Sequence, residues 1–507
     1  MYSTVPAALL AAFLSTVAVR PAGAADVSAA QAEALQSQMQ SWLRGVLGPD
    51  SSPTGPAVQV RPEGDHYRIE LPLGTPRAGQ PSPVTLFTSA RPAEDGRWLF
   101  EGTELLSPAR FKLNMPVPAR NGNAPAASVP VEYTVTTGHQ DSRGTYDPSF
   151  ATPSTFMSNF KDVQIRAQGA LLDQLTKIER SSGTSTLRPS GSNRVDLVGG
   201  ATIEGYTLTS RSQDGPHVEL SAQQMRATTE LTGLSRDRAA TMLPAIARTV
   251  GGLITGIPTP GSNAPAIRPP VDPQLLRTIL QSLQGLASEF TLDEMFDGIA
   301  LRSGTRGGAA SQFRIGVGAK SDGGLLQASM DLNLDGFVVP DPALGAMADL
   351  LPRKVALRYV LTGVPTEELI QWLAATAEAK DGTRPPGFFA TLFRRTGVSA
   401  GWESFALDIG GTSFVGMDKL TVVSPGNLIG QAQVTAANFE DLIARATAVP
   451  ELAGVLPAFI FAKGIGRTVE GRLAWDIAYS ENKVLVNGID LVAMVANRPP
   501  TRGTPSH

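Results

Sequence analysis

From Ala30 to Leu47 the apolar side chains Leu35, Met39, Trp42, Leu43, Val46 and Leu47 recur at helical spacing, and Gly48-Pro49 closes the run. This pattern predicts one amphipathic helix. Beyond it the period changes from helical to alternating. His66–Leu71 alternates, as do Val84, Leu86 and Thr88, and Arg97–Phe100 reads as a further strand. Residues 115–155 are rich in Pro, Asn, Gly and Ser around a strand at Val129–Thr137. More strands are expected from 162 to 232, separated by polar turns at Arg180–Thr184 and Gln213–Gly215. The Pro/Gly density of Gly251–Pro273 forbids a long helix or a central strand, which makes this stretch the seam between two halves. A second β-rich region with interspersed helices follows from 274 to 495, and it ends in a hairpin that pairs Leu473–Tyr479 with Lys483–Gly488.

A weak internal repeat lies within this pattern. Leu231-Thr232-Gly233-Leu234-Ser235-Arg236-Asp237 aligns with Leu361-Thr362-Gly363-Val364-Pro365-Thr366-Glu367, and both align without gaps with Val434-Thr435-Ala436-Ala437-Asn438-Phe439-Glu440. In each copy a strand reaches a small residue, a Ser, Pro or Asn opens a helix, and an acid sits near the positive helix end. Apolar residues follow in register: Ala239, Ala240 and Leu243; Leu369, Ile370 and Leu373; Leu442, Ile443 and Ala446. The unit expected is a strand feeding a helix that folds back onto the sheet, used three times.

The N-terminus gives an address. Val5–Val19 is an apolar run of 15 residues, followed by Arg20-Pro21 and the small residues Ala22–Ala25. That is the layout of a secretory signal over 1–25, although no Lys or Arg precedes the apolar core. The run is short for a bilayer span, which needs about 20 apolar residues, so cleavage after Ala24 or Ala25 is expected, with an uncleaved membrane anchor as the alternative. The expected organisation is therefore a signal (1–25), an N-terminal β-rich half with a leading helix (26–250), a linker (251–273), a C-terminal α+β half (274–495) and a disordered tail (496–507). A net charge of −3, with no basic stripe interleaved with aromatics, gives no case for nucleic acid. The chain has no cysteine, which excludes disulfides, thiolate metal sites and Cys nucleophiles.

The strand-to-helix units and the closing hairpin with its Val486-Asn487-Gly488 turn carry a resemblance. Over 355–491, and more faintly over 160–250, the chain resembles bacterial exported envelope proteins distantly similar to the AsmA-like group. The resemblance implies an elongated chain of antiparallel sheet with intermittent helices, and a periplasmic role in lipid or outer-membrane homeostasis. It supplies no catalytic residues.

Candidate chemistry is sparse. Gly397-Val398-Ser399-Ala400-Gly401 fits the G-x-S-x-G turn of serine hydrolases, but Trp402–Ile409 then alternates like a strand. That chain order also requires a later His, and the only one is His507. Asp331–Gly336 opens like a calcium loop, yet its twelfth position is Pro342, and Met330, Leu332 and Leu334 alternate as in a strand. The histidines His66, His139, His217 and His507 share no metal-ligand spacing. Asp293, Glu294 and Asp297 form an acidic group that a helical capping box, Thr291 with Glu294 stapled by Phe290 and Met295, would explain. Phe388, Phe389, Leu392 and Phe393 beside Arg394 and Arg395 form a candidate ligand or membrane contact, whose alternative is a short helix packed on the sheet. Ala458–Phe461 reads as a buried segment. No cofactor or metal is expected.

The fold expected is α+β, predominantly antiparallel sheet in two β-rich halves. The expected function is non-enzymatic binding of an apolar ligand such as lipid in the cell envelope. The alternatives are an assembly factor that meets envelope protein partners and, third, a hydrolase using Ser399.

Overall fold

The structure is a computed structural model. It describes residues 27–47, 58–73, 84–93, 97–117, 127–147, 152–170, 172–212, 217–237, 285, 287–304, 306–378, 395–424, 427–480 and 483–496. The signal (1–25), the seam at 251–273 and all of the tail after Ala496 lie outside the described residues. The fold is α+β and mostly antiparallel sheet. The chain divides into two compact units, one of residues up to Gly307 with 373–379, the other of Gly308–Trp372 and residues from 380 onward.

In the first unit α1 (Ala29–Leu47) precedes β1 (Gln59–Glu63), β2 (His66–Leu73), β3 (Val84–Pro92) and β4 (Trp98–Leu105). Then come β5 (Ala109–Val117), β6 (Ala127–Thr136), β7 (His139–Asp147) and four long strands. These are β8 (Thr152–Gly169), β9 (Leu172–Gly191), β10 (Arg194–Ser212) and β11 (His217–Ser235), with β12 (Glu289–Ser303) beside them. Strand β8 is forked. Its first half pairs with β7, which leads through β4, β3 and β2 to β1, while its second half pairs with β6 and so with β5. On its other side β9, β10, β11 and β12 follow as a meander.

The densest packing of this unit lies under α1. Leu35, Val58, Tyr67, Ile69 and Leu71 are all at most 1% exposed there, and each such side chain contributes about 1.5–3 kcal/mol. The helix also closes the sheet edge. The side-chain oxygens of Gln40 and Gln36 accept the outward amides of Val58 and Val60 at 2.7 and 3.3 Å, donors that an open edge strand would offer to another chain. The Tyr67 hydroxyl accepts from Ser28 N and donates to Gln31 Oε1.

The second unit is a meander of β13 (Arg306–Asp322), β14 (Leu325–Asp335), β15 (Pro352–Pro365), β16 (Ser399–Ile409), β17 (Thr412–Ser424) and β18 (Asn427–Ala437). It continues through β20 (Arg472–Ser480), β21 (Lys483–Val486) and β22 (Ile489–Asp490), and the short β19 (Arg467–Val469) also pairs with β20. Its helices are α2 (Thr366–Glu378, of which the residues up to Trp372 belong to this unit), α3 (Phe439–Thr447), α4 (Leu456–Ile465) and α5 (Leu491–Ala496), with a 3-10 segment at Pro342–Leu350. Phe439 centres one core, meeting Phe414, Phe459 and Trp475 edge-to-face at 5.9, 6.3 and 5.5 Å between ring centroids. Trp475 Nε1 donates to Ala462 O at 2.8 Å and ties α4 to the sheet. A second core, under α2, gathers Val364, Val398 and Val422 with Leu369 and Trp372.

The three repeat segments all pass from strand to helix. In the first two the small residue is a positive-φ glycine, Gly233 at 65° and Gly363 at 75°. At both, Thr-Gly bulges against a single partner residue, because Leu231 and Leu234 face Leu197 and Val195 while Leu361 and Val364 face Ala328 and Leu326. Glycine adopts this conformation without the Cβ penalty. The third copy replaces the device with Asn438, which is left-handed at φ 57° and makes no side-chain cap bond. Its carbonyl instead accepts from Thr412 Oγ1 and Asp441 N.

Three expectations are corrected. Arg180–Thr184 is no turn but the middle of β9. Thr291 and Glu294 cap no helix, since both lie in β12, where Phe290, Leu292 and Phe296 fall on one face. Ala458–Phe461 is only partly buried, for Phe459 enters the core while Ile460 and Phe461 are 60% and 43% exposed on α4.

Candidate functional site

The long strands β8–β12 present one apolar and one polar face. Ile178, Ile203, Tyr206 and Ala222 are buried and share a cluster with Val163, Leu208, Leu220 and Met225. Every member of that cluster lies on β8–β11. Ile203 and Tyr206 are three residues apart, as are Ala222 and Met225, yet each pair shares the face. Simple two-residue alternation would put them on opposite sides.

The explanation is one row across the sheet. Register places Asp162, Glu179, Gly205, Gln223 and Gly298 side by side on β8 to β12. Asp162, Gly205 and Gly298, on alternate strands, have φ of 52°, 63° and 60°. All five strands carry the same extra residue, so none of the four pairings slips there. Exposure changes phase at this row: Lys161 and Asp162 are both exposed, as are Glu179 and Arg180. Beyond the row the apolar face continues through the half-buried Phe156 and Phe160 on β8, Leu197 on β10, and Phe290 and Leu292 on β12.

The other face is polar at the row. Glu179 and Gln223 lie across Gly205 and Gly298, occupying the space a Cβ would need. Arg180 pairs with Glu204 at 3.2 Å and Arg226 with Asp297 at 2.8 Å. A strand of 18–20 residues extends about 60 Å. One side of β8–β12 thus offers largely apolar surface, interrupted by Glu294 of β12, over a length far beyond that of a small-molecule pocket, with most of the charge on its reverse.

In the second unit a groove of about 870 Å³ crosses the sheet from β15 to β21. It lies on the face opposite α2 and α3, and Thr362, Ser399, Lys419, Gln433 and Asp476 are among the side chains lining it.

Of the contact residues expected from sequence, Phe388, Phe389, Leu392, Phe393 and Arg394 lie outside the described residues. Arg395 is described, half-exposed and ion-paired with Glu368 of α2. Ser399 begins a strand, with no helix after it, and its Oγ lies 2.6 Å from Thr362 Oγ1. Asp331 sits within β14 and pairs with Arg358 at 3.6 Å. His66, His139 and His217 begin three separate strands of the first unit. Among the described residues no group of three His, Cys, Asp or Glu side chains could hold a metal ion, and no helix is long and apolar enough to cross a membrane.

Sequence reasoning missed the row in β8–β12. Its signals were present: a glycine inside each of two long alternating segments, and an apolar spacing of three between Ile203 and Tyr206. No family model, curated protein or solved structure matches this chain.

Proposed function

We propose that the chain is an exported protein of the bacterial cell envelope that binds an apolar ligand such as lipid, without catalysing a reaction. The observation that supports it is the apolar face of β8–β12, kept on one side past a change of phase in all five strands. An acyl chain is long, narrow and without hydrogen-bonding demands. It suits a surface whose backbone polar groups are already paired in the sheet. The apolar run and small residues at 1–25, and the resemblance to AsmA-like envelope proteins, support the same reading.

The test is native mass spectrometry with lipid extraction on protein purified from its own cell envelope. The expected result is a reproducible adduct of phospholipid mass. A photo-crosslinking residue at Met225 should capture that lipid, whereas one at Thr228, on the polar face, should not. A clean apo mass with no crosslink at Met225 would overturn the reading and put an assembly factor in its place.

A further inference from the structure

The groove of the second unit has a chemistry that the lipid reading leaves unused. Two rows of side chains cross its floor on one face. Met417, Gln433 and Asp476 are direct cross-strand neighbours on β17, β18 and β20, and two residues along the strands Lys419, Gln431 and Ala478 form the next row. Each row carries an amide between two different neighbours. Neighbouring side chains within a row stand about 4.8 Å apart, the spacing of adjacent strands, close to the length of one sugar ring.

Charge narrows the occupant. The charged lining groups are Lys419 and Arg467 against Glu403, Asp418 and Asp476, so an anionic ligand would meet more negative than positive charge. The carboxylates are engaged as well. Glu403 accepts from Arg358 Nε at 2.5 Å, Asp476 is paired with Arg467, and Asp418 accepts from Trp402 N. This offsets the pull on a cation. An extended peptide has no open edge to add to, because β18 is paired with β17 and β20 along both rows, and β16 and β17 are paired on either side of the short interruption at Gly401–Ser404. An acyl chain would leave the amides of Gln431 and Gln433 without partners.

From this we infer that the groove is a binding site for a neutral, hydroxyl-rich ligand, an oligosaccharide chain. Amide groups supply both donors and acceptors to paired hydroxyls. Met417, Ala478 and Leu485 give the apolar patches on which the ring carbons rest, and the volume lies within the range of ordinary ligand sites.

The experiment is calorimetric titration of the full chain with maltohexaose, cellohexaose and hexa-N-acetylchitohexaose as separate neutral probes. Saturable binding of at least one is expected, unchanged by added salt. The double change Gln431→Ala with Gln433→Ala should weaken it by about tenfold or more, from the loss of two or more hydrogen bonds, with the thermal midpoint held. Lys419→Ala should change it by less than about twofold. Absence of saturable binding with all three probes overturns the inference. So does binding that salt or Lys419→Ala abolishes, which would mark an anion site, and so does binding that survives the double amide change. None of these results bears on the Met225 crosslink, so this inference and the lipid proposal stand or fall separately.

Discussion

The two units keep an apolar face on long strands by different means. Within the span of β8–β12 the phase of alternation changes at a single row, and every strand changes together, so register is preserved there; the slips of these strands lie at one end, at Arg194–Leu197. In β14–β17 the changes are local. Each strand pair slips separately, β14–β15 between Leu326 and Ala328, β15–β16 between Pro352 and Lys354 and again between Arg358 and Tyr359, and β16–β17 between Ala400 and Phe405. The apolar side of the second sheet carries helices at both ends, α2 near Val422 and α3 near Phe414. Among the described residues, no cluster places a helix against the apolar side of β8–β12. The difference shows what each sheet needs. A surface closed by helices tolerates scattered bulges because the packed side chains absorb them. A face that must stay continuous for tens of ångströms can shift phase only if all its strands shift at one place.

The sharpest way to break the comparison is the glycine that both units share. Gly233 and Gly363 occupy equivalent bulges with similar φ, so alanine should pay the same left-handed strain at each, about 1–2 kcal/mol. Their surroundings differ. A Cβ at Gly363 would lie 2.6 Å from the carbonyl oxygen of Gly397, whereas at Gly233 the nearest atom is the Ser288 hydroxyl at 2.8 Å. A backbone oxygen cannot swing aside, and a serine side chain can. Gly363→Ala is therefore expected to destabilise by about 3–4 kcal/mol and Gly233→Ala by about 1–2 kcal/mol, from strain plus overpacking in the first case and strain alone in the second. Urea unfolding measures both. Equal losses would mean that the Gly397 carbonyl adds no steric cost and that the two junctions are energetically alike.

A smaller effect tests the phase row itself. Gly205→Ala places a Cβ where the Glu179 side chain lies, at a residue with φ 63°. The expected cost is about 1–2 kcal/mol, part of it strain and part displacement of Glu179. In a Glu179→Ala background the steric part should vanish and the strain remain, a coupling of about 0.5 kcal/mol or more in a double-mutant cycle. Asp162→Gly should be neutral or slightly stabilising, because it relaxes a left-handed non-glycine residue. Full additivity of Gly205→Ala with Glu179→Ala would show that the side chain plays no part in the row.

Much of this architecture was legible in the chain. The leading helix, the alternating strands and the strand–helix junction at Gly363 follow from period and punctuation, which are local properties. What escaped was set by neighbours. Arg180–Thr184 reads as a turn because five consecutive charged, polar or small residues interrupt the apolar rhythm, yet flanking strands hold it in register. Thr291–Met295 carries a complete helix-start signal, and pairing with β11 from Thr232 to Val218 overrides it. The groove of the second unit was equally hidden. Its side chains come from β15 to β21, more than a hundred residues apart, and only register brings Met417, Gln433 and Asp476 into one row.

The mildest test uses one tyrosine from each unit. Burial raises the hydroxyl pKa of Tyr133 on β6, and of Tyr359 on β15, where the Asp418 carboxylate adds a smaller push in the same direction. A pKa raised on folding means that the folded chain holds its proton where the unfolded chain releases it. The stability this represents is complete below the unfolded value of about 10 and is lost as pH rises through the folded value. Both residues should therefore steepen the alkaline fall in stability, and Tyr133→Phe or Tyr359→Phe should each flatten it. Asp418→Asn separates the two units. It should lower the Tyr359 pKa and leave Tyr133 unmoved in a spectroscopic titration of tyrosinate. Added salt should act in the same sense on Tyr359 alone, because only there does a neighbouring charge contribute. A Tyr359 titration indifferent to both would leave desolvation as the sole cause and make the two tyrosines equivalent.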